Sequence, residues 1–243
     1  MPNFDQYFWD ELARNLSGQR STTFEAYVNH LWRILPQATI DTVYMVGFAS
    51  LFAILFGMVI GIGLYITQPN GIYPLPKLNK IIGFIVNTGR SIPFPVLILL
   101  VFPLARFIVG RSIGPTAAIV PLTIAAVPFM SRVVEASLNE LGHGIIEAAV
   151  AAGANIRQII FRVLIPESAP SLVSGFTLLI INLITFSAMA GIIGSGGLGH
   201  VANSYGFHRH RTDILVYTIV LLVILLQIIQ AIGQFISQKL DKR

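Results

Sequence analysis

The distribution of charged side chains is the feature that most limits how this chain can fold. Four windows contain no acidic or basic side chain: residues 42–66, 112–131, 168–199 and 214–238. A fifth window, 81–105, contains only Arg90. About 20 apolar residues cross a bilayer as a helix. The pattern predicts an all-α integral membrane protein with about five transmembrane helices, at 42–66, 81–107, 113–131, 171–194 and 213–237.

The composition agrees with this prediction and excludes several other classes. Charged residues make up 11% of the chain and apolar residues 54%, whereas a soluble surface needs about 25–35% charged residues. Cysteine is absent, which excludes disulfides, Cys-ligated zinc and thiol chemistry. The net charge of +5 is spread thinly and is typical of charges that flank membrane spans, so nucleic acid is not an expected partner.

Prolines interrupt the second and third predicted spans. Proline removes a backbone donor and kinks a helix, and membrane helices tolerate it where neighbours satisfy the freed carbonyls. Two interrupted spans in succession indicate helices that line a path. The residues concerned are Pro93, Pro95, Pro103, Pro115, Pro121 and Pro128.

The first 40 residues differ from the rest and are predicted to form an amphipathic, interfacial segment. Apolar side chains recur at helical spacing in two stretches, 8–16 and 24–35. These residues do not have a basic start followed by an apolar run, so we do not expect a signal peptide. The predicted organisation is this segment, a transmembrane domain at 41–238 and a short basic tail at 239–243.

The charges flanking the spans set an expected orientation. With the N-terminus outside, the inner segments hold nine Lys and Arg and the outer segments seven. Because positive residues accumulate on the cytoplasmic side, we expect the C-terminus and the long 132–170 segment to be cytoplasmic.

The 132–170 segment holds seven of the chain's charged residues between two spans. Its apolar positions predict a helical extension of the third span, a short helix rich in alanine, and a third helix capped by Asn155. Gly142, Gly144 and Gly153 are predicted to break these helices, and Pro166 to end the last. The segment is either a loop packed on its own bundle or a projecting helical segment that docks into a groove of another protein.

Several motifs resemble a known family. The segment carries EAA at 147–149, Gly153 and then Ile-Pro at 165–166, and this spacing resembles the EAA loop of ABC importer permeases. Further runs resemble the methionine-uptake permeases of that family: RSIPF at 90–94, AIVPLT at 118–123, PF at 128–129, and GSGGLG at 194–199 followed by YG. The resemblance covers about residues 42–238 and excludes the N-terminal segment.

The resemblance implies a function and a set of partners. The chain would be the membrane-spanning subunit of an ABC importer of the bacterial inner membrane, translocating methionine by alternating access. Expected partners are a second copy of the chain, a cytoplasmic ATPase dimer that binds ATP and Mg, and an extracytoplasmic substrate-binding protein. No catalytic or metal site is expected in this chain. The residues predicted to couple to the ATPase are Glu147, Ala148, Ala149, Gly153 and Pro166.

Polar or soft side chains within the spans are the candidates for a substrate pathway. Arg90 either extends towards the cytoplasmic end or attracts an amino-acid carboxylate. The amide and hydroxyl groups either contact substrate or form hydrogen bonds between helices. The candidate residues are Asn87, Arg90, Ser91, Asn182, Thr185, Ser187 and Met189.

Other readings of the sequence are weaker. A different amino acid or small solute, or an oligomeric channel or secondary transporter without an ATPase, remains an alternative. Gly194-x-Gly196-x-x-Gly199 matches a dinucleotide fingerprint but follows a membrane span rather than a strand. A serine hydrolase built on Ser195 and nearby histidines, and a metal shared by His208 and His210, have little support. No phosphate-binding loop occurs in the chain.

The first span also contains a small-residue motif. Gly57 and Gly61 lie four residues apart, which lets helices approach closely. We expect this motif to serve packing, either within the subunit or between two copies.

Overall fold

The computed structural model describes residues 21–241, with side chains described from 33 to 241 except at position 143. Its first helix, α1, runs over Ser21–Ile66 without a break and contains Pro36. The predicted amphipathic stretch 24–35 therefore belongs to the same helix as the first span. The stretch 8–16 lies outside the described residues. The division at residue 40 stays a prediction, and the helix passes straight through it.

The second predicted span is not one straight helix. It consists of α2, Pro76–Ser91, and α3, Phe94–Val109, whose axes differ by 108°. The prediction of a single helix at 81–107 was wrong at this point. Pro93 disfavours a helical conformation at Ile92, which is extended with φ −79° and ψ 121°.

The bent pair nevertheless connects the two ends of the bundle. Near the start of α2, Asn79 Nδ2 donates to the carbonyl of Leu64 at 2.6 Å, close to the end of α1. Just beyond α3, Pro115 lies against Gly196 in the turn that follows the fourth span. Residues 76–109 therefore run from the end of the bundle where α1 stops to the opposite end, as a broken span does.

The other predicted spans are continuous helices. They are α4, Pro115–Asn139, which contains Pro121 and Pro128; α7, Ala169–Ile192; and α9, Thr212–Leu240. Within residues 21–241, four helices are long and apolar enough to cross a membrane, and the bent pair makes five if it counts as one span. The prediction of about five spans in an all-α fold is confirmed.

The helices α1 and α4 pack tightly against each other through the predicted glycine motif. A Cβ atom on Gly57 would lie 2.5 Å from Cβ of Met130. A Cβ atom on Gly61 would lie 2.6 Å from the carbonyl oxygen of Ser131. These glycines therefore allow α4 to pack within the subunit.

The last helix lies on the outside of the bundle. Many of its apolar side chains are exposed, including Val216, Ile219, Val223 and Ile232. A helix that is apolar on its exposed face suits a lipid environment. Its far end is held to α7 by Ser237, whose hydroxyl donates to the carbonyl of Pro170 at 2.9 Å.

Candidate coupling loop and membrane cavity

A group of short helices projects from one end of the bundle between α4 and α7. As predicted, α4 extends well past residue 131, and it ends at Asn139. The next helix, α5, comprises His143–Ala151. Gly142 lies in the connecting turn, but Gly144 lies inside α5, so the prediction that Gly144 breaks a helix was wrong. Nothing lies within 4 Å of a Cβ atom at Gly144, and one glycine near a helix start is tolerated.

The C-terminus of α5 is a Schellman motif centred on Gly153. Gly153 has φ +76°. The amide of Ala154 donates to the carbonyl of Ala149 at 3.1 Å, and the amide of Gly153 donates to that of Val150 at 2.9 Å. This pairing satisfies the last carbonyls of the helix and requires a left-handed residue, which is usually glycine. Gly153 interrupts the helix, as predicted, for this conformational reason.

The following helix begins with a capping box. Asn155 Oδ1 accepts a hydrogen bond from the amide of Gln158, and Gln158 Oε1 accepts one from the amide of Asn155, both at 2.9 Å. This arrangement satisfies two donors that a helix start leaves unpaired. The predicted cap at Asn155 is confirmed.

This helix, α6, is irregular and ends later than predicted. It comprises Ile156–Gln158, a π-helical segment Ile159–Leu164, and Ile165–Glu167. Pro166 lies within it rather than ending it. Because proline cannot donate to a carbonyl of the preceding turn, a wider π-helical turn before Pro166 accommodates the missing bond.

The residues predicted to couple to an ATPase do not share one environment. Glu147, Ala148 and Gly153 are exposed on the projecting segment. Ala149 is half-buried and packs against the main apolar core, so its small side chain serves contact with its own bundle. Pro166 is exposed and borders a separate cleft beside the end of α9.

Large apolar side chains also project from the same group of helices. Val150 is 54% exposed and Phe161 69% exposed, and Ile145 and Ile156 are exposed as well. Beside them, a cavity of about 340 Å³ separates α5 from the end of α1 and is bordered by Glu147 and Tyr65. The segment therefore presents apolar and alanine surface, with Glu147 at its edge.

A network of hydrogen bonds at the same end ties three segments together, and it was not predicted from the sequence. Arg132 in α4 forms an ion pair with Glu135. Its other donors reach Oδ1 of Asn87 and the carbonyl of Gly83 in α2, each at 3.2 Å. Gln68, just after α1, donates to Glu135 at 3.2 Å. The Arg132–Glu135 spacing on one helix was the one available signal.

Most of the predicted pathway residues have partners that remove them from a shared site. The hydroxyls of Ser91, Thr185 and Ser187 donate to carbonyls of their own helices at 2.9, 3.3 and 2.8 Å. Asn87 accepts the bond from Arg132. Met189 is 38% exposed and does not border the cavity described next.

Two of the candidates, Arg90 and Asn182, border one cavity at the break between α2 and α3. Its volume is about 250 Å³. Phe94 and Phe186 form part of its wall and stack on each other with their ring centroids 4.7 Å apart. Gly89 comes close to Pro128 of α4, where a Cβ atom would lie 2.9 Å from Cγ of that proline. The arrangement offers a guanidinium, an amide and aromatic faces to one small space.

The glycine-rich run after α7 forms a tight turn rather than a nucleotide site. Gly194, Gly196 and Gly197 all have positive φ, and the short helix α8, Gly197–Val201, follows. A Cβ atom on Gly197 would lie 2.7 Å from Oγ1 of Thr42. The turn therefore packs closely on α1, which requires glycine.

The histidine hypotheses receive no support from this region. Ser195 is buried, and the ring of His200 contacts the hydroxyl of Ser204 at 3.4 Å. Among residues 21–241, no three potential metal ligands come together.

Comparison with known proteins adds a family assignment. The family model described as "Binding-protein-dependent transport system inner membrane component" matches residues 53–243. The "Probable D-methionine transport system permease protein MetI" of Vibrio cholerae is 44% identical, over 86% of this chain and 93% of that protein. The "Methionine import system permease protein MetP" of Bacillus subtilis is 41% identical, over 90% and 100%.

Solved structures share the fold. A chain of the MetNI methionine ABC transporter, in an inward-facing conformation, is 40% identical with a TM-score of 0.86, covering 87% of this chain and 98% of that one. A chain of an amino acid ABC transporter solved with histidines has a TM-score of 0.72 at 16% identity, covering 89% and 98%. That second similarity concerns the fold alone.

Proposed function

This chain belongs to the family of binding-protein-dependent transport system inner membrane components, and we propose that it carries methionine across the membrane as the permease subunit of an ABC importer. The observation that carries the proposal is the exposed group of helices α5 and α6 at one end of a bundle of spans. The extensive similarity to MetI and MetP proteins supports methionine as the substrate.

The projecting helices supply a docking surface for the ATPase. Ala148 and Gly153 are small and exposed, so another backbone can approach them closely. Glu147 at the edge orients α5 against the partner, and Pro166 shapes the neighbouring cleft. Ala149 packs on the core, so it holds the docking surface against its own bundle.

Transport needs an energy source that lies outside this chain, so the chain acts as part of a complex. Two ATPase subunits hold ATP and Mg, and their closure moves the docking helices of two permease copies together. The pathway lies between these copies and alternates between its two sides. An extracytoplasmic binding protein delivers methionine to the outward-facing state.

The orientation of the chain is part of the proposal. The end of α1, the helices α5 and α6 and the end of α9 share one side of the bundle, as the Gln68–Glu135 and Ser237–Pro170 bonds indicate. We assign this side to the cytoplasm, where the ATPase is. The C-terminus is then cytoplasmic and the start of the chain extracytoplasmic.

Reconstitution tests the proposal. The chain is purified from membranes with its ATPase and placed in liposomes that contain ATP, and uptake of radiolabelled methionine is measured with the binding protein outside. We expect a stoichiometric ATPase, ATP-dependent uptake, and competition by unlabelled methionine but not by unrelated amino acids. Uptake without any ATPase would favour a channel or secondary transporter and would overturn the proposal.

Two variants test the docking surface in the same assay. Glu147→Lys reverses a charge at the edge of the surface, and Gly153→Trp adds bulk to it. Both should insert in the membrane yet lose most ATP-dependent uptake. Glu25→Gln, in the N-terminal segment and distant in sequence from the docking helices, serves as a control that should keep its uptake. Unchanged uptake by the reconstituted Gly153→Trp complex would contradict this docking site.

A further inference from the structure

We propose that the cavity at the break between α2 and α3 binds the substrate inside the membrane domain, with Arg90 holding its carboxylate. This inference rests on the proposed function and gives it a location. The cavity holds about 250 Å³, which is slightly below the roughly 300–1,000 Å³ of pockets for drug-sized ligands. It therefore suits a small molecule such as one free amino acid.

The two polar groups of the cavity have unused hydrogen-bonding capacity. Within the described part of the chain, neither Arg90 nor the side chain of Asn182 has a hydrogen-bond or ion-pair partner. In the same helix as Asn182, the hydroxyls of Thr185 and Ser187 are satisfied by their own backbone. Arg90 is exposed and Asn182 is half-buried in the single chain, so the guanidinium and the amide are both accessible to a ligand that enters the cavity.

The chemistry of the wall matches the parts of an apolar amino acid. A guanidinium binds a carboxylate through two parallel hydrogen bonds. The amide oxygen of Asn182 can accept from an ammonium group. Phe94, Phe129 and Phe186 border the remaining space, and a thioether makes favourable contacts with aromatic rings.

The position of the cavity is appropriate for alternating access. Asn182 lies 13 residues into α7, about 20 Å from its start at 1.5 Å per residue. The cavity therefore lies near the middle of this span, between the docking helices and the glycine turn. It also adjoins the broken span, and irregular backbone at membrane depth occurs where it lines a cavity.

The neighbouring contacts hold Arg90 in place. Gly83, Asn87 and Arg90 follow one face of α2 at helical spacing, and the first two receive hydrogen bonds from Arg132. Gly89 packs on Pro128 of α4. Rotation of α2 about its own axis is thereby restricted, and Arg90 stays at the cavity.

Photo-cross-linking of the assembled permease–ATPase complex in nanodiscs tests the proposal. The probe is photo-methionine, whose diazirine replaces the thioether, and labelled peptides are mapped by mass spectrometry. We expect labels at residues around Phe94, Phe129 and Phe186, competed by excess methionine. Labels confined to other parts of this chain would overturn the proposal.

Matched variants identify the role of Arg90. Arg90→Gln should lower labelling about tenfold or more, since a hydrogen bond to a charged group contributes roughly 1.5–3 kcal/mol. Arg106→Gln, in the last turn of α3 and away from the cavity, should label as the unsubstituted complex does. Asn182→Leu should weaken labelling and Thr185→Val should not. Equal labelling in Arg90→Gln and Arg106→Gln would overturn the assignment.

A competitor without a carboxylate makes the test independent of folding of the variants. Methionine methyl ester should compete with the probe about tenfold less well than methionine in the unsubstituted complex, because the neutral ester has no negative charge and cannot form the charge-assisted pair with a guanidinium. The difference should disappear in Arg90→Gln. Equal competition by ester and amino acid in the unsubstituted complex would overturn the proposal even if no variant assembles.

The uptake assay separates this inference from the function on which it rests. If the unsubstituted complex fails to import methionine, the proposed function is wrong. If it imports methionine while the probe labels outside the cavity, only the binding site is wrong.

Discussion

Arg132 in α4 donates from Nε to Oδ1 of Asn87 in α2, at 3.2 Å and across 45 positions of sequence. The same guanidinium reaches the carbonyl of Gly83 and pairs with Glu135. Arg132 thus fixes α2, which ends at the membrane cavity, to the helix that leads into the docking segment. Motion of that segment would reach the cavity through this contact.

Removal of the Arg132 side chain should destabilise the complex. Arg132→Met leaves the carboxylate of Glu135, whose side chain is 13% exposed, with the amide of Gln68 but without its ion pair, and removes a bond from the Gly83 carbonyl. We expect a loss of roughly 1–3 kcal/mol for a largely buried carboxylate that loses its charged partner. The Tm of the purified complex measures this loss, and Arg106→Met is the matched control.

A double-mutant cycle isolates the bond to Asn87. Arg132→Met and Asn87→Leu should be less than additive, with a coupling of about 0.5–3 kcal/mol. Strict additivity would mean that the two side chains do not interact in the assembled protein.

Alanine should be tolerated less well at the two glycines of the α1–α4 contact than at other glycines of α1. Alanine is favoured over glycine in a helix by roughly 0.8–1 kcal/mol. At Gly61 that gain is outweighed, because a Cβ atom would lie 2.6 Å from the Ser131 carbonyl oxygen, which is fixed in α4. At Gly63 nothing lies within 4 Å. Gly61→Ala should therefore lower the Tm, and Gly63→Ala should leave it unchanged or raise it. The reverse order would disprove the α1–α4 packing.

The backbone conformation of Gly153 can be tested separately from bulk at the docking surface. Its φ of +76° is tolerated by asparagine and disfavoured by β-branched residues. Gly153→Asn should keep more methionine uptake than Gly153→Val, because both add a side chain at the docking surface but only valine strains the backbone. Nothing within the chain lies within 4 Å of a Cβ atom at this position, so crowding inside the subunit does not enter the comparison. Uptake in proteoliposomes is the measurement. Equal loss in both variants would indicate that bulk at the docking surface, rather than backbone conformation, is the cause.

The spans and the breaks of the docking segment follow from local sequence. Lipid requires a fixed length of uncharged helix, so the charge-free windows located α1, α4, α7 and α9. Gly153 and Asn155 act through their own backbone neighbours, and this is why a single sequence reveals them.

The bend and the cavity depend on contacts that periodicity does not reveal. Pro93 indicates a break, but its angle of 108° is set by how α2 and α3 pack, at Gly89 on Pro128 and Phe94 on Phe186. The seven pathway candidates looked alike in sequence because each is a polar or soft group in a span. Only the fold separates Asn87, which pairs with Arg132, from Asn182, which borders the cavity.

Thr42 caps a helix that is remote in sequence, and its replacement tests the packing of the glycine turn. Its hydroxyl accepts from the amide of Leu198 at 2.9 Å and donates to the carbonyl of Ala38 at 3.0 Å. The first amides of α8 have no partner within that helix, and Leu198 is fully buried. Thr42→Val removes this acceptor, which should reduce the free energy of unfolding by roughly 1–3 kcal/mol. The Tm should fall accordingly.

Two controls separate that hydrogen bond from shape. Thr42→Ser keeps the hydroxyl and should stay close to the unsubstituted protein. Thr39→Val, one turn earlier, removes a hydroxyl that donates only to its own helix, at Leu35, and should have a small effect. Because both valine substitutions replace a hydroxyl by a methyl group, a Tm that falls equally in Thr42→Val and Thr39→Val would show that Thr42 does not hold the glycine turn to α1.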